Sequence, residues 1–203
     1  MDAGKTHTAM SIIMGLRKQE LTVAGIKLTG TATGKDTWNM FDAGACIALD
    51  FVDGGFPSTY LSTLEELLNL YDLLISRAAA EGASWVLVEI ADGLLQHETA
   101  ALLQHAPFAA SVAAWIFAAG DPLAAAGGIG LLRKWAIEPL AISGVVSMSP
   151  LGLKETRIGT QLPCLTASEL QSGTLNARLQ ETASRGAGSL FATAGNREEI
   201  LNT

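Results

Sequence analysis

The sequence lacks any long uninterrupted apolar run. Its longest stretch of that kind, Ala106 to Ala119, contains Pro107 and Ser111 and falls short of the ~20 residues that a helical bilayer span needs. The amino end does not read as a signal peptide, so no membrane partner is expected. Cysteine is scarce. Cys46 and Cys164 make no metal-ligand pattern, and a lone pair in a chain of this size fits a reducing compartment, which predicts a cytoplasmic location. His7, His97 and His105 also lack metal-ligand spacing. Positive charge is in short supply, with 13 Lys and Arg against 20 Asp and Glu and a net charge of −7. A surface built to neutralise phosphate backbones is therefore not expected, and nucleic acid is excluded as a partner. Nor does a Ser-His-Asp or Cys-His set stand out to carry covalent catalysis.

What the chain does have is a distinctive start. In Met1-Asp2-Ala3-Gly4-Lys5-Thr6-His7-Thr8, the triplet Gly4-Lys5-Thr6 matches the end of a phosphate-binding loop. Such a loop needs backbone N–H groups facing phosphate, a Lys reaching the terminal phosphates, and a Ser or Thr hydroxyl for Mg²⁺. Ala9, Met10, Ile12, Ile13 and Leu16 recur at helical spacing behind it, so the positive end of a helix would face the anion. The loop's first glycine and the strand that delivers it are missing from the front. The expectation is a P-loop protein whose first strand is absent, with neighbouring strands unpaired along one edge.

With 203 residues, 49% hydrophobic and 16% charged, the chain suits one sizeable core and is short for two domains. Residues 1–185 read as one nucleotide-binding domain, and residues 186–203 as a flexible or weakly structured tail. Strand-like and helix-like runs alternate along the domain. Thr22 to Thr29 is β-prone and carries Lys27, which either snorkels to the sheet edge or reaches a ligand at the strand's carboxyl end. Lys35, in the Gly/Thr-rich loop that follows, either adds charge there or is solvated. Phe41 to Gly55 holds Asp42, Asp50 and Asp53, acids suited to hold Mg²⁺ or simply to cap turns. Ser62-Thr63-Leu64-Glu65 opens a helix with its apolar face on Leu64, Leu67, Leu68, Tyr71, Leu74 and Ile75, ending at Gly82.

Trp85 to Glu89, followed by Ile90-Ala91-Asp92-Gly93, reads as a central parallel strand, covered on both faces, that ends in an acid. Such an acid faces the Mg²⁺-phosphate end of the sheet in P-loop proteins. Leu94 to His105 reads as a helix on which His97 and Glu98 are near substrate or merely solvated. Ser111 to Ala118 and Ala141 to Ser147 read as strands, with Leu123 to Ala136 between them as a helix interrupted by Gly127-Gly128. A shorter strand-like run, Gln161 to Leu165, precedes a helix start at Thr166-Ala167-Ser168-Glu169. The fold class is α/β, a mostly parallel sheet with helices on both faces. Lys27, Glu89 and the opening loop should meet at the strands' carboxyl ends.

With these residues in hand, the chain resembles P-loop proteins of the dethiobiotin synthetase-like and cobyrinic acid a,c-diamide synthase-like branch. It is also similar to P-loop relatives of D-glutamate N-acetyltransferase type, chiefly over Ala32 to Lys35, Asp42-Ala43 and Asp50-Phe51. The resemblance spans roughly residues 1 to 170 and implies a P-loop NTPase three-layer sandwich that binds ATP and Mg²⁺. It places Asp2, Ala3, Gly4, Lys5 and Thr6 at the nucleotide and Thr6 and Glu89 at the metal; His7, next after the loop, is counted with the nucleotide residues, and Asp50, from the acids of Phe41 to Gly55, with the metal residues. Lys5 and Lys27 would be catalytic, Lys27 standing where the synthetase has a Lys-Pro and Leu28 replacing that Pro. Val88 to Gly93 is similar to the family's Val-Glu-Gly-Ala-Gly-Gly, with Ile90 and Asp92 in place of glycines. Ser147 stands for an Asn that reads adenine. The implied reaction activates a carboxylate or carbamate by phosphoryl transfer and lets an amine capture it, by positioning and charge neutralisation. The implied partner is a small-molecule carboxylate or amine, in a chain that forms a homodimer or acts alone. Two other readings stay open: a non-catalytic nucleotide-dependent switch and an inactive truncated domain.

Overall fold

The computed structural model describes residues 2–32 and 34–184; the predicted tail, 186–203, lies outside them. Helix α1 (Lys5–Arg17), strand β1 (Val23–Lys27), α2 (Lys35–Asp42), β2 (Ile47–Asp50), α3 (Leu64–Ala80) and β3 (Trp85–Glu89) follow one another. Then come α4 (His97–Gln104), α5 (Ala106–Ser111), β4 (Ile116–Ala118), α6 (Pro122–Lys134), β5 (Ala141–Ser143), α7 (Pro150–Thr160) and α8 (Ala167–Gln171). The fold is α/β, and the strand pairs among the described residues are parallel.

The strands form two pieces, β2-β1-β3 and β4-β5. β1 and β5 are buried at every residue, whereas β4 is half-buried throughout and β3 is half-buried up to its last residue. Each of the latter two has a single strand neighbour among the described residues. β3 is thus an edge strand, where continuous apolar sequence predicted a central one. An apolar run reports burial on both faces but not pairing on both edges.

Side-chain alternation sorts the strands into two faces. Ala24, Ile26 and Leu28 join Leu49, Val86, Val88 and Phe117 in one apolar layer under α3, α4 and α6. Val23 joins Trp85, Leu87, Ile116 and Ala141 in the other, against the apolar face of α1 and against Met40 of α2. α1 lies in this second layer with residues from both sheet pieces.

Three predicted runs differ in detail. Ser111 is the last residue of α5, which His105 caps and Pro107 starts, and Phe108 packs edge-on against Tyr71 and Trp115. β4 is therefore only three residues long. β5 ends at Ser143 because Gly144 turns the chain with φ 96° into a 3₁₀ turn, Val145–Met148. Residues 163–165 run beside β5 without forming a strand, through Ile142 N–H to Pro163 O and Leu165 N–H to Ile142 O, both 2.8 Å.

The Gly127-Gly128 pair does not interrupt α6, which runs unbroken through it. A Cβ on Gly128 would sit 2.3 Å from the Phe117 ring, whereas one on Gly127 would meet nothing within 4 Å. Gly128→Ala should therefore destabilise the protein by about 1–3 kcal/mol through overpacking. Gly127→Ala should stabilise it by about 0.5–1 kcal/mol through helix propensity. Denaturant midpoints of the two variants check the opposite signs.

Candidate functional site

The register of β1 places Lys27 beside Asp50 of β2 and beside Glu89 of β3. In parallel strands such partners project from the same face. That face is shared with Gly25, whose absent Cβ would lie 2.9 Å from Met40 of α2. One ammonium and two carboxylates therefore share a row on the α1/α2 side, at the strands' carboxyl ends. Lys27 is 8% exposed, Asp50 8% and Glu89 7%.

Thr6, in the first turn of α1, reaches this row. Its Oγ1 lies 3.0 Å from Asp36 Oδ1 and 3.1 Å from Glu89 Oε1. A threonine hydroxyl carries one hydrogen and can donate to only one of them at a time. The Lys27 ammonium pairs with the other oxygen of Asp36. Glu89 Oε2 is buried with no hydrogen-bond partner among the described residues. Acceptors thus outnumber donors at this point, and a buried carboxylate oxygen without a partner is costly. Burial, and next the nearby Asp36 charge, push the Glu89 carboxyl above the usual carboxylate range. The Thr6 hydroxyl, Lys27 and Lys5 pull it back.

The opening loop stands against the end of β5. Ala3 O accepts from Val145 N–H at 3.1 Å, and a Cβ on Gly144 would lie 2.1 Å from that same oxygen. Gly4 caps α1 in a left-handed conformation, with no side chain on the helix's first N–H groups and no acid in its first turn. Lys5 is half-buried and close enough to Glu89 to lower its pKa. Asp2 and His7 are exposed.

The loops behind the row are tied to each other. Thr29 Oγ1 accepts from Ala91 N–H at 2.8 Å, and Thr59 Oγ1 accepts from Gly30 N–H at 2.9 Å. Gly30, at φ 136°, also clears room for the Lys27 side chain, whose Cε would lie 3.1 Å from a Cβ there.

Of the predicted residues, the structure brings Thr6, Lys27 and Glu89 together, with Lys5 nearby. Asp50 shares their row, but its Oδ1 accepts from Val52 N–H at 2.8 Å, and Asp53 Oδ2 accepts from Asp50 N–H at 2.9 Å. These two acids cap the 3₁₀ turn Phe51–Gly54. The second acid that meets Thr6, beside Glu89, is Asp36, which sequence reasoning missed. Its signal was an acid in the first turn of a helix, just past the Gly-rich loop that follows Lys27. Ser147 is buried and spends its hydroxyl on Gly144 O at 2.7 Å. It lies on the Val145–Met148 turn whose Val145 holds Ala3. Glu98 is buried and accepts from Leu61 N–H, a structural role that leaves it neither solvated nor at the row. Lys35 is exposed at the start of α2.

An acid whose folded pKa exceeds its unfolded one holds its proton longer in the folded state. Folding is then favoured below the ordinary carboxylate range, and that advantage is lost as pH rises through the raised value. Glu89→Gln should remove the cost, raising the melting temperature by a few degrees near neutral pH and leaving it unchanged below about pH 4.5, the ordinary glutamate value. Thermal melts across pH check this.

No model of a known protein family matches the chain, and no curated protein matches it.

Proposed function

We propose that the chain binds ATP with Mg²⁺ and uses it to activate a carboxylate or carbamate by phosphoryl transfer, as a dethiobiotin synthetase-like P-loop ligase. The observation that carries this reading is the surplus of acceptors where Thr6, Asp36 and Glu89 meet, beside the uncapped start of α1. A hydroxyl and two carboxylates are the hard oxygen donors that Mg²⁺ takes alongside phosphate oxygens. Free N–H groups at a helix start are an anion site. Asp36 thus takes the metal-side place expected of Asp50.

In this reading Lys5 and the first N–H groups of α1 hold the terminal phosphates, and Thr6, Asp36 and Glu89 hold the ion. Mg²⁺, when bound, neutralises charge on the β- and γ-phosphates. Lys27, released from Asp36, pairs with the substrate carboxylate. A carboxylate oxygen attacks the γ-phosphorus, the bond to the bridging oxygen breaks, and ADP departs with its electron pair. The amine nitrogen then attacks the acyl carbon, inorganic phosphate leaves, and the nitrogen gives up a proton to solvent. These side chains position and neutralise, with no covalent nucleophile.

The reading extends to the fold, a P-loop three-layer sandwich; its support is the parallel pairing of the strands and the helices packed on both of their faces.

ATP with Mg²⁺ should raise the melting temperature, because a ligand that prefers the folded state stabilises it. Lys5→Ala and Thr6→Ala should abolish the shift. Glu89→Gln should lose its Mg²⁺-dependent part while gaining stability without ligand, and that opposite pair of signs marks a metal-binding acid. Phosphate release should require a small carboxylate and fall about 10²–10³-fold in Lys27→Ala. Turnover that answers only to a protein partner favours the switch instead, and no thermal shift at all defeats both.

A further inference from the structure

A second concavity of about 590 Å³ opens beside the row, on the β2 side. Trp38 and Phe41 of α2 and Val52 form its apolar wall, while Thr37, Asp50 and Asp53 contribute polar groups. Its size is that of a small-molecule site, and its make-up, apolar walls with a few converging polar groups, is what such sites share. The lining contains two carboxylates and no basic side chain.

Two features set it apart from an ordinary surface hollow. First, Trp38 is 70% exposed and Phe41 59%, although both stand on a helix whose Met40 is fully buried in the core. Two aromatic rings kept in water side by side are an unmet apolar surface. Second, Asp50 is buried to more than nine-tenths, yet only its Oδ1 is engaged, by Val52 N–H. No hydrogen bond among the described residues engages its Oδ2, and the residue lines the cavity. Lys27, in the adjacent strand, is paired with Asp36, and Arg77 donates to the main-chain oxygen of Asp53 at 3.1 Å.

We propose that this cavity binds a small organic cation, an ammonium or guanidinium on a flat or apolar body, with the charge at Asp50 and Asp53 and the body against Trp38 and Phe41. Buried carboxylate and aromatic face are the two partners that select such a group over its neutral or anionic analogues. Asp50 neighbours Lys27 in register, about one strand spacing or 5 Å away. As a substrate seat the cavity rests on the proposed function, and the substrate is then a molecule whose cationic end lies roughly 5–10 Å from its reacting group. Asp50 and Asp53 are positioning residues in that scheme.

The test titrates the full chain, without nucleotide, with phenethylamine and with phenylacetate as its anionic counterpart. The four Trp indole N–H resonances are followed by NMR, with Trp38 assigned from Trp38→Phe. Phenethylammonium should move the Trp38 signal saturably and phenylacetate should not. Asp50→Asn keeps the capping oxygen but removes the charge, and Asp53→Asn does the same at an exposed position; each should weaken the binding about tenfold, equal to ~1.4 kcal/mol. Equal response to both compounds, no saturable response to either, or full affinity in both Asn variants overturns the proposal. The ATP-Mg²⁺ thermal shift is read on the same sample. A cation that binds where ATP does not defeats the ligase reading alone, and the reverse defeats the cavity alone.

Discussion

The register of β1 against its two neighbours is the constraint on which the site depends. Sliding either neighbour by one residue would turn Asp50 or Glu89 through the sheet into the layer of Ile26 and Leu49. That slip is opposed because it would set a carboxylate among apolar side chains, where a charge without partners is costly, and would break the packing of Leu49 or of Val86 and Val88 in their layer. The core and the cost of burying the charges thus select the same register. Their place is not free of cost: among the described residues no hydrogen bond reaches Glu89 Oε2, and a metal-binding role of the kind proposed would account for that cost.

Much of this was legible in the sequence where one residue type had one physical meaning. Glu89 stood out because an acid closing an apolar run is costly unless it works. Lys27 stood out because a buried strand has little use for an ammonium. Asp50 and Asp53 were ambiguous, since an acid before a turn caps the backbone as readily as it binds a ligand, and here both do the capping. Asp36 was invisible because the helix that carries it was not expected: α2 is eight residues long, too short a stretch for an apolar pattern to stand out, so an acid beside Lys35 raised no signal. Sheet edges were the other blind spot. Hydropathy reads faces, so Trp85 to Glu89 looked central although it pairs on one side only, and Ser111 to Ala118 looked like one strand although its start belongs to α5.

The two faces of the sheet divide the labour. The layer under α3, α4 and α6 is almost wholly apolar, and its few polar groups are spent on the fold: Glu98 accepts from Leu61 N–H, and Thr99 donates to Ala91 O at 3.1 Å. The opposite face carries the row of charges, the uncapped start of α1 and the aromatic cavity beside α2. α2 serves both places at once. Met40 packs where Gly25 leaves room on β1, and with the contacts of α2 to β2 and α1 that approach sets Asp36 beside Thr6 and Lys27 while Trp38 and Phe41 line the cavity. A side chain at position 25 would lift α2 from the sheet and part Asp36 from its partners. The glycine that permits this contact belongs to the core by location, and it governs the geometry of the site.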